Sequence, residues 1–242
     1  SLADERSLVA KVHLRPMSRW DPNPGCGRGD GGPMKRLITA AVALSALVLL
    51  VPACMSPYQG NMTGPKVAIL SDSLLADPTG AHLEFFLGDT HQTSRLAIPG
   101  ATSYEMVQAA RDWANAVDIA VISLGTNDAF AITDRGQTIA NTYDNGYTPI
   151  RDAFSNASCI VFLTLDEQMP HVRDGVNKEL NDWWRVHALY WPDRYRLADW
   201  NLTVAFFGGY GSMTVDGVHP NPFGSQVMAE IIETQVNQCP TW

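Results

Sequence analysis

Between residues 66 and 236, short runs dense in Val, Ile and Leu alternate with longer segments of helical period. That alternation narrows the possible folds more than any other feature of the chain. Strands are expected at Val67–Leu70, Arg95–Ile98, Ile119–Ser123, Cys159–Leu165 and Tyr195–Asp199, and helices near Ala81–Leu87, Ser103–Ala116, Thr148–Ser155, Asp174–Tyr190 and Pro222–Val236. The strands are almost continuously apolar, as strands are when both faces of a sheet are covered. The helical segments between them supply the crossovers that parallel strands require. The expected class is α/β: a three-layer α/β/α sandwich on a five-stranded parallel sheet, with ligands gathered beyond the carboxyl ends of the strands.

The segment before this pattern reads differently. Met34, Lys35 and Arg36 precede an uncharged apolar stretch, Leu37 to Ala53, that ends in Val51-Pro52-Ala53-Cys54, the order of an export signal. Residues 1–33 lack periodicity and are read as an upstream extension outside the fold. Residues 34–53 are the signal peptide, 54–65 a linker and 66–242 the folded domain. Val51 and Ala53 suit cleavage before Cys54. The four residues also resemble a bacterial lipobox, with Cys54 the residue that would carry lipid, although Pro52 departs from the usual small residue there. The protein is therefore expected outside the cytoplasm, secreted or lipid-anchored to the cell envelope, and to meet a membrane only through the signal or Cys54.

Charge and cysteine usage exclude other classes. Of the formal charge of −8, residues 1–53 contribute +3 and residues 54–242 contribute −11, and an acidic body is a poor partner for nucleic acid. Cys26, Cys54, Cys159 and Cys239 match no zinc-ligand spacing. In an oxidising compartment Cys159 and Cys239 can pair; two buried free thiols are the other reading.

Four short motifs carry the candidate chemistry. Ser71-Asp72-Ser73-Leu74 puts a serine where a strand turns into a helix. Gly100 follows the second strand, and Gly125-Thr126-Asn127-Asp128 follows the third. Asp216-Gly217-Val218-His219-Pro220 sets an acid three residues from a histidine just before the last helix. Each alone also fits a turn or a helix cap. Together they offer a hydroxyl, a base for it, and a carboxylate to orient the base.

In that order, Ser73, Gly100, Asn127 and Asp216/His219 resemble the SGNH hydrolases, the GDSL family, over about residues 66–237; Ser71 stands where the family usually has Gly. The resemblance implies the flavodoxin-like SGNH hydrolase fold, with Ser73 as nucleophile, His219 as general base and then acid, and Asp216 as its orienting carboxylate. The implied oxyanion hole combines the Ser73 and Gly100 amides with the Asn127 side chain. It further implies a carboxylic ester hydrolase that works through an acyl-serine without metal or organic cofactor, on a small-molecule or glycan ester, as a monomer. An O-acyltransferase acting on envelope sugars, and a catalytically silent carbohydrate-binding module, are the alternatives. Asp72 and Asp128 are expected to do structural work, and Trp183 and Trp184 to pack. The connection from Asp128 to Thr148, with Arg135 and Tyr143, is expected to wall the cleft, and the stretch from Thr203 to Gly211 to line a pocket or fill the core.

Overall fold

The structure is a computed structural model that describes residues 58–240. The upstream extension, the signal segment, Cys54 and the first part of the linker lie outside the described residues. The strands are β1 (Gln59–Gly60), β2 (Lys66–Ser71), β3 (Gln92–Ala97), β4 (Ile119–Ser123), β5 (Cys159–Leu163) and β6 (Tyr195–Ala198). The α-helices are α1 (Thr79–Leu87), α2 (Ser103–Trp113), α3 (Thr126–Asp134), α4 (Ile139–Thr142), α5 (Thr148–Ala153), α6 (Val176–Tyr190), α7 (Trp200–Phe206), α8 (Tyr210–Met213) and α9 (Pro222–Val236).

The sheet order is β1-β3-β2-β4-β5-β6, parallel throughout except that β1 runs antiparallel to β3. Alternation along each strand explains the two covering layers. Val67 and Ile69 of β2 join one apolar cluster with Leu83 and Leu87 of α1 and Val227 and Ile232 of α9. Ala68 and Leu70 face the other way, into a cluster with Met106 and Ala110 of α2, Ile150 of α5 and Leu180 and Trp184 of α6. Both faces are dry, so both side-chain sets are apolar and the strands read as continuous runs. Burying one such Leu or Ile contributes about 1.5 to 3 kcal/mol. The aromatic centre of the second cluster is Phe162 stacked on Trp184, ring centroids 4.4 Å apart, with Tyr147 5.5 Å from Trp184.

Helix starts are fixed locally. Thr102 and Glu105 form a reciprocal capping box at α2, and Asn221 accepts from the Gly224 amide at α9, with Pro222 in the first turn. Gly125 before α3 has φ +121°, and a Cβ there would sit 2.3 Å from the Tyr147 hydroxyl, so only glycine fits that turn.

The five expected strands are present with small shifts of boundary, and the sheet gains a sixth. β1 arises inside the stretch read as linker, and its two residues are too short to show any period. Two expected loops are helical. The connection from Asp128 to Thr148 holds most of α3, then α4 and the π-helical turn Tyr143–Tyr147. The glycine-rich stretch after β6 holds most of α7 and the start of α8, separated by Phe207, Gly208 and Gly209, the two glycines having φ values of +93° and +95°. Cys159, the first residue of β5, is joined to Cys239 beyond α9 by a disulfide that closes an 80-residue separation. No helix among the described residues is long and apolar enough to cross a membrane.

Candidate active site

β2 is paired on both sides, and the chain leaves it first toward β3 and later returns to β4. The strand order therefore reverses between β2 and β4, and beyond the carboxyl ends of such strands a crevice opens. The loops after β2, β3 and β4 meet there: the Asp72 amide donates to the Ser123 carbonyl at 3.1 Å, and the Ile98 amide to the Ser71 carbonyl at 3.0 Å.

Ser73 opens the 3-10 turn Ser73–Leu75 immediately after β2. The turn is tied down by its own neighbours. The Leu74 amide donates to Asp72 Oδ1 at 3.0 Å, and the Leu75 amide to Ser71 Oγ at 3.1 Å. Neither cap takes the Ser73 amide or hydroxyl. The Ser71 side chain therefore has a use of its own, in holding the turn from below.

His219 reaches Ser73 from the loop before α9. Thr214 and Pro220 form an isolated bridge, and the Val215 amide donates to the His219 carbonyl at 2.9 Å, which closes the loop. Inside it, Asp216 Oδ1 accepts the Val218 and His219 amides at 2.9 and 2.7 Å, and Asp216 Oδ2 lies 2.7 Å from His219 Nδ1. The other ring nitrogen, Nε2, lies 2.9 Å from Ser73 Oγ. A proton on Nδ1 facing Asp216 leaves the Nε2 lone pair to accept from the serine hydroxyl. Partial burial works upward on the Asp216 carboxyl, but the hydrogen bonds from the His219 ring and from the His219 and Val218 amides, with the charge on His219, hold it down at about 2. It is thus ionised wherever the imidazole has work to do. The side chains of His219 and Asp216 are 44% and 50% exposed, so the relay is open to solvent and to an incoming alcohol.

The third loop contributes Asn127, in the first turn of α3. Its side-chain nitrogen donates to the Ala101 carbonyl at 3.0 Å, which spends one of its two N–H groups and ties it to the turn carrying Gly100. Gly100 is exposed, with φ +83° and no atom within 4 Å of where a Cβ would stand. The neighbouring Asp128 is fully buried and accepts both the Ser103 amide, at 2.8 Å, and the Ser103 hydroxyl, at 2.7 Å, locking the start of α2 against α3. Burial raises its pKa despite those bonds. Asp72 is also fully buried, and its Oδ2 faces the Thr126 hydroxyl without closing a well-formed bond. Burial pushes its carboxyl up to about 7, against the Leu74 amide, Thr126 and the His219 charge, with Asp128 adding to the rise.

Ser73, Gly100, Asn127, Asp216 and His219 thus occupy adjoining loops at one edge of the sheet. Cys159 and Cys239 do not belong to this group; Cys159 begins β5 and so lies at the opposite edge. Tyr143 donates to the Glu179 carbonyl at 2.6 Å and stacks on Trp183, so it packs rather than walls the cleft, and Arg135 is exposed just past α3. Phe206 and Tyr210 of the glycine-rich stretch are exposed, while Thr203 and Val204 are buried. One residue that sequence reasoning passed over, Asp166 just after β5, lines a small void together with Leu74 and Val218, the chain neighbours of Ser73 and His219. An acid after a strand carries no pattern that would have marked it.

A model of the GDSL-like lipase/acylhydrolase family matches residues 70–227, which includes all five of these positions. A lipase/acylhydrolase from Enterococcus faecalis superposes with a TM-score of 0.61 at 16% identity, covering 71% of this chain and 95% of that one. An acetylxylan esterase from Geobacillus stearothermophilus gives 0.56 at 15% identity, covering 74% and 98%. The catalytic domain of peptidoglycan O-acetyltransferase A from Streptococcus pneumoniae gives 0.55 at 14%, covering 72% and 93%. A comparison with curated proteins finds no match.

Proposed function

The chain belongs to the GDSL-like lipase/acylhydrolase family and is a carboxylic ester hydrolase; from that premise we propose that it is an exported serine esterase that removes short O-acyl groups from carbohydrate or lipid of the cell envelope. The observation that carries the reading is the unbroken relay from Asp216 through His219 to the Ser73 hydroxyl. His219 Nε2 takes the proton as Ser73 Oγ attacks the ester carbonyl. Negative charge then builds on the carbonyl oxygen, and the Ser73 and Gly100 amides and the remaining Asn127 N–H are the donors that meet it. Collapse expels the alcohol with the proton His219 holds, leaving an acyl-Ser73. Water, deprotonated by His219, then releases the acid.

Export is supported by the Lys35-Arg36 pair and the apolar stretch up to Cys54 in the sequence. The glycan side of the substrate class is supported by analogy of fold with an acetylxylan esterase and a peptidoglycan O-acetyltransferase. The test is hydrolysis of p-nitrophenyl acetate by the wild type and Ser73→Ala, alongside labelling by a fluorophosphonate. Loss of turnover and of label in a variant that still melts cooperatively is expected. Undiminished turnover in Ser73→Ala overturns the assignment, and an unlabelled wild type favours a silent carbohydrate-binding module.

The half-exposed base supports a second reading, in which a sugar hydroxyl replaces water as acyl acceptor. Turnover with and without an added oligosaccharide separates the two, because transfer diverts acyl product to the sugar and hydrolysis does not.

A further inference from the structure

Exposed apolar side chains gather on one side of the relay. Leu202, Phe206, Tyr210, Val215 and Phe223 all stay exposed, Phe206 by 61% and Val215 by 70%. They form one surface. Leu202 and Phe206 stand a turn apart on α7. The Phe206 ring meets Phe207 edge-on with centroids 5.2 Å apart, and Phe207 meets Phe223 in the same way at 5.4 Å. The end of α8 is clamped to the start of α9, where the Asn221 amide donates to the Met213 carbonyl at 2.9 Å and Asn221 Nδ2 to the Ser212 carbonyl at 2.8 Å. A Cβ on Gly217 would come 3.6 Å from the Tyr210 ring, so Tyr210 leans on the loop that carries Asp216 and His219. Val215 is the residue before Asp216.

The same face is almost free of charge. From Trp200 to Ala229 the sequence holds no Lys, Arg or Glu and a single Asp, the Asp216 of the relay, whereas residues 54–242 together carry −11. A contiguous exposed apolar patch marks a place where something lands. Phe206, Phe223, Leu202 and Val215 offer no hydrogen bond, so they hold a sugar ring poorly. A folded protein seated there would cover Asp216 and His219, whose side chains the reaction needs open. A lipid surface fits on both counts: it takes up apolar side chains, meets no like charge on this face, and carries esters with it.

We propose that the face from Leu202 to Phe223 is an interfacial docking surface that settles on an uncharged or zwitterionic lipid surface and brings the Ser73–His219 relay to its boundary. Phe206, Val215 and Phe223 enter the apolar layer, and Tyr210, with its hydroxyl, stays at headgroup level. The proposal rests on the esterase reading and selects within it: the favoured substrates are esters presented by a lipid aggregate rather than esters free in water. The acidic remainder of the body is turned away from the lipid, which the absence of charge on this one face permits.

The experiment follows turnover of tributyrin, an uncharged triester, from the dissolved range into the emulsified range. The full chain is compared with Phe206→Ser and with the double variant Phe206→Ser/Phe223→Ser. The wild-type rate is expected to rise by about 10-fold or more once droplets form, and the double variant to lose that rise. Phe206→Ser gives an intermediate rise, and it decides the matter if the double variant fails to fold. p-Nitrophenyl acetate, which stays dissolved, is turned over equally by all three. A wild-type rate that levels off at saturation, no hydrolysis of tributyrin in either range, or a rise that both variants keep overturns the proposal. A wild type that sediments as a dimer, with monomeric variants and no rise on emulsification, assigns the face to a second copy of the chain and overturns it as well. Turnover of p-nitrophenyl acetate and fluorophosphonate labelling of Ser73 in the same preparations separate these failures from failure of the esterase reading, which would abolish both.

Discussion

The Ser73 hydroxyl and the His219 imidazole stand 2.9 Å apart, although 146 residues separate them along the chain. A second contact with the same separation lies just beyond, where the Thr79 hydroxyl at the start of α1 and the Ser225 hydroxyl in the first turn of α9 meet, buried, at 3.0 Å. The two helices that follow the nucleophile and the base are thus pinned to each other close to the reacting atoms. The distance across the relay is set by helix packing rather than by the loops alone.

Removing the Asn127 amide should slow the chemistry and leave binding nearly intact. The side chain is half-buried and anchored by one N–H to the Ala101 carbonyl, so the other has a fixed direction. Asn127→Ala is expected to lower kcat about 10²- to 10³-fold with little change in KM. A loss confined to KM would mean that Asn127 binds ground-state substrate instead.

Asp216 sets the tautomer and tilt of His219 while gripping its own loop through two amides. Asp216→Asn keeps the loop bonds within reach but turns a donor toward Nδ1 or loses the bond. A fall in kcat of about 10²- to 10⁴-fold is expected, with a small fall in melting temperature at neutral pH, where the ionised and half-exposed carboxylate contributes modestly to stability. Since the Asp216 carboxyl is held at about 2, below its ordinary value, the stability it contributes is complete above the ordinary carboxylate range and disappears only as pH falls through about 2. The acid limb of the activity profile should therefore not lie at the titration of Asp216. An acid limb lying near pH 2 would contradict this.

Asp72 gives stability the opposite slope. Its folded value of about 7 lies above that of an unfolded aspartate, so the native state binds the extra proton from about pH 4 to about pH 7. The stabilisation is full below that window and declines as pH rises through about 7. Asp72→Asn, which keeps an oxygen for the Leu74 amide, should flatten the curve and melt higher than wild type at pH 8, by up to a few kcal/mol in stability. Melting curves at pH 5 and pH 8 check this; an equal pH response in both proteins would refute it. Asp128 and Asp166, whose carboxyls burial also raises, keep part of the slope in the variant.

The Cys159–Cys239 link should matter to folding and not to catalysis. It ties the first residue of β5 to the chain beyond α9, at the sheet edge away from Ser73, and closes an 80-residue separation. On a chain-entropy account such a link contributes about 4 to 5 kcal/mol. Reduction, or paired replacement by serine, is expected to lower the melting temperature markedly while kcat at 25 °C stays close to that of the oxidised protein. A drop in kcat without a drop in stability would contradict this.

What could be read from the residues follows from how local each signal is. β2, β4 and β5 were visible because two dry faces make nearly every position apolar, whereas the polar Gln92, Thr93 and Ser94 hid the first half of β3; α9 was visible to the residue because Asn221 and Pro222 announce its start. The relay was visible because Asp216 and His219 sit in one short turn. β1 was invisible, since two residues make no period. α7 and α8 were hidden by Gly208 and Gly209, which mark a break between helices as readily as a loop. Asp166 could not be singled out, because its burial depends on Trp200 and Val218 arriving from distant stretches of chain.

The pinning of α1 to α9 has a consequence for when the protein can act. The alcohol is made early in synthesis and its activating base late, so a nascent polypeptide carries an inert serine however long it waits. Ester bonds met by the growing chain are safe until the last helix docks and draws the imidazole across the sheet edge. The onset of turnover therefore marks the docking of α9 beside α1.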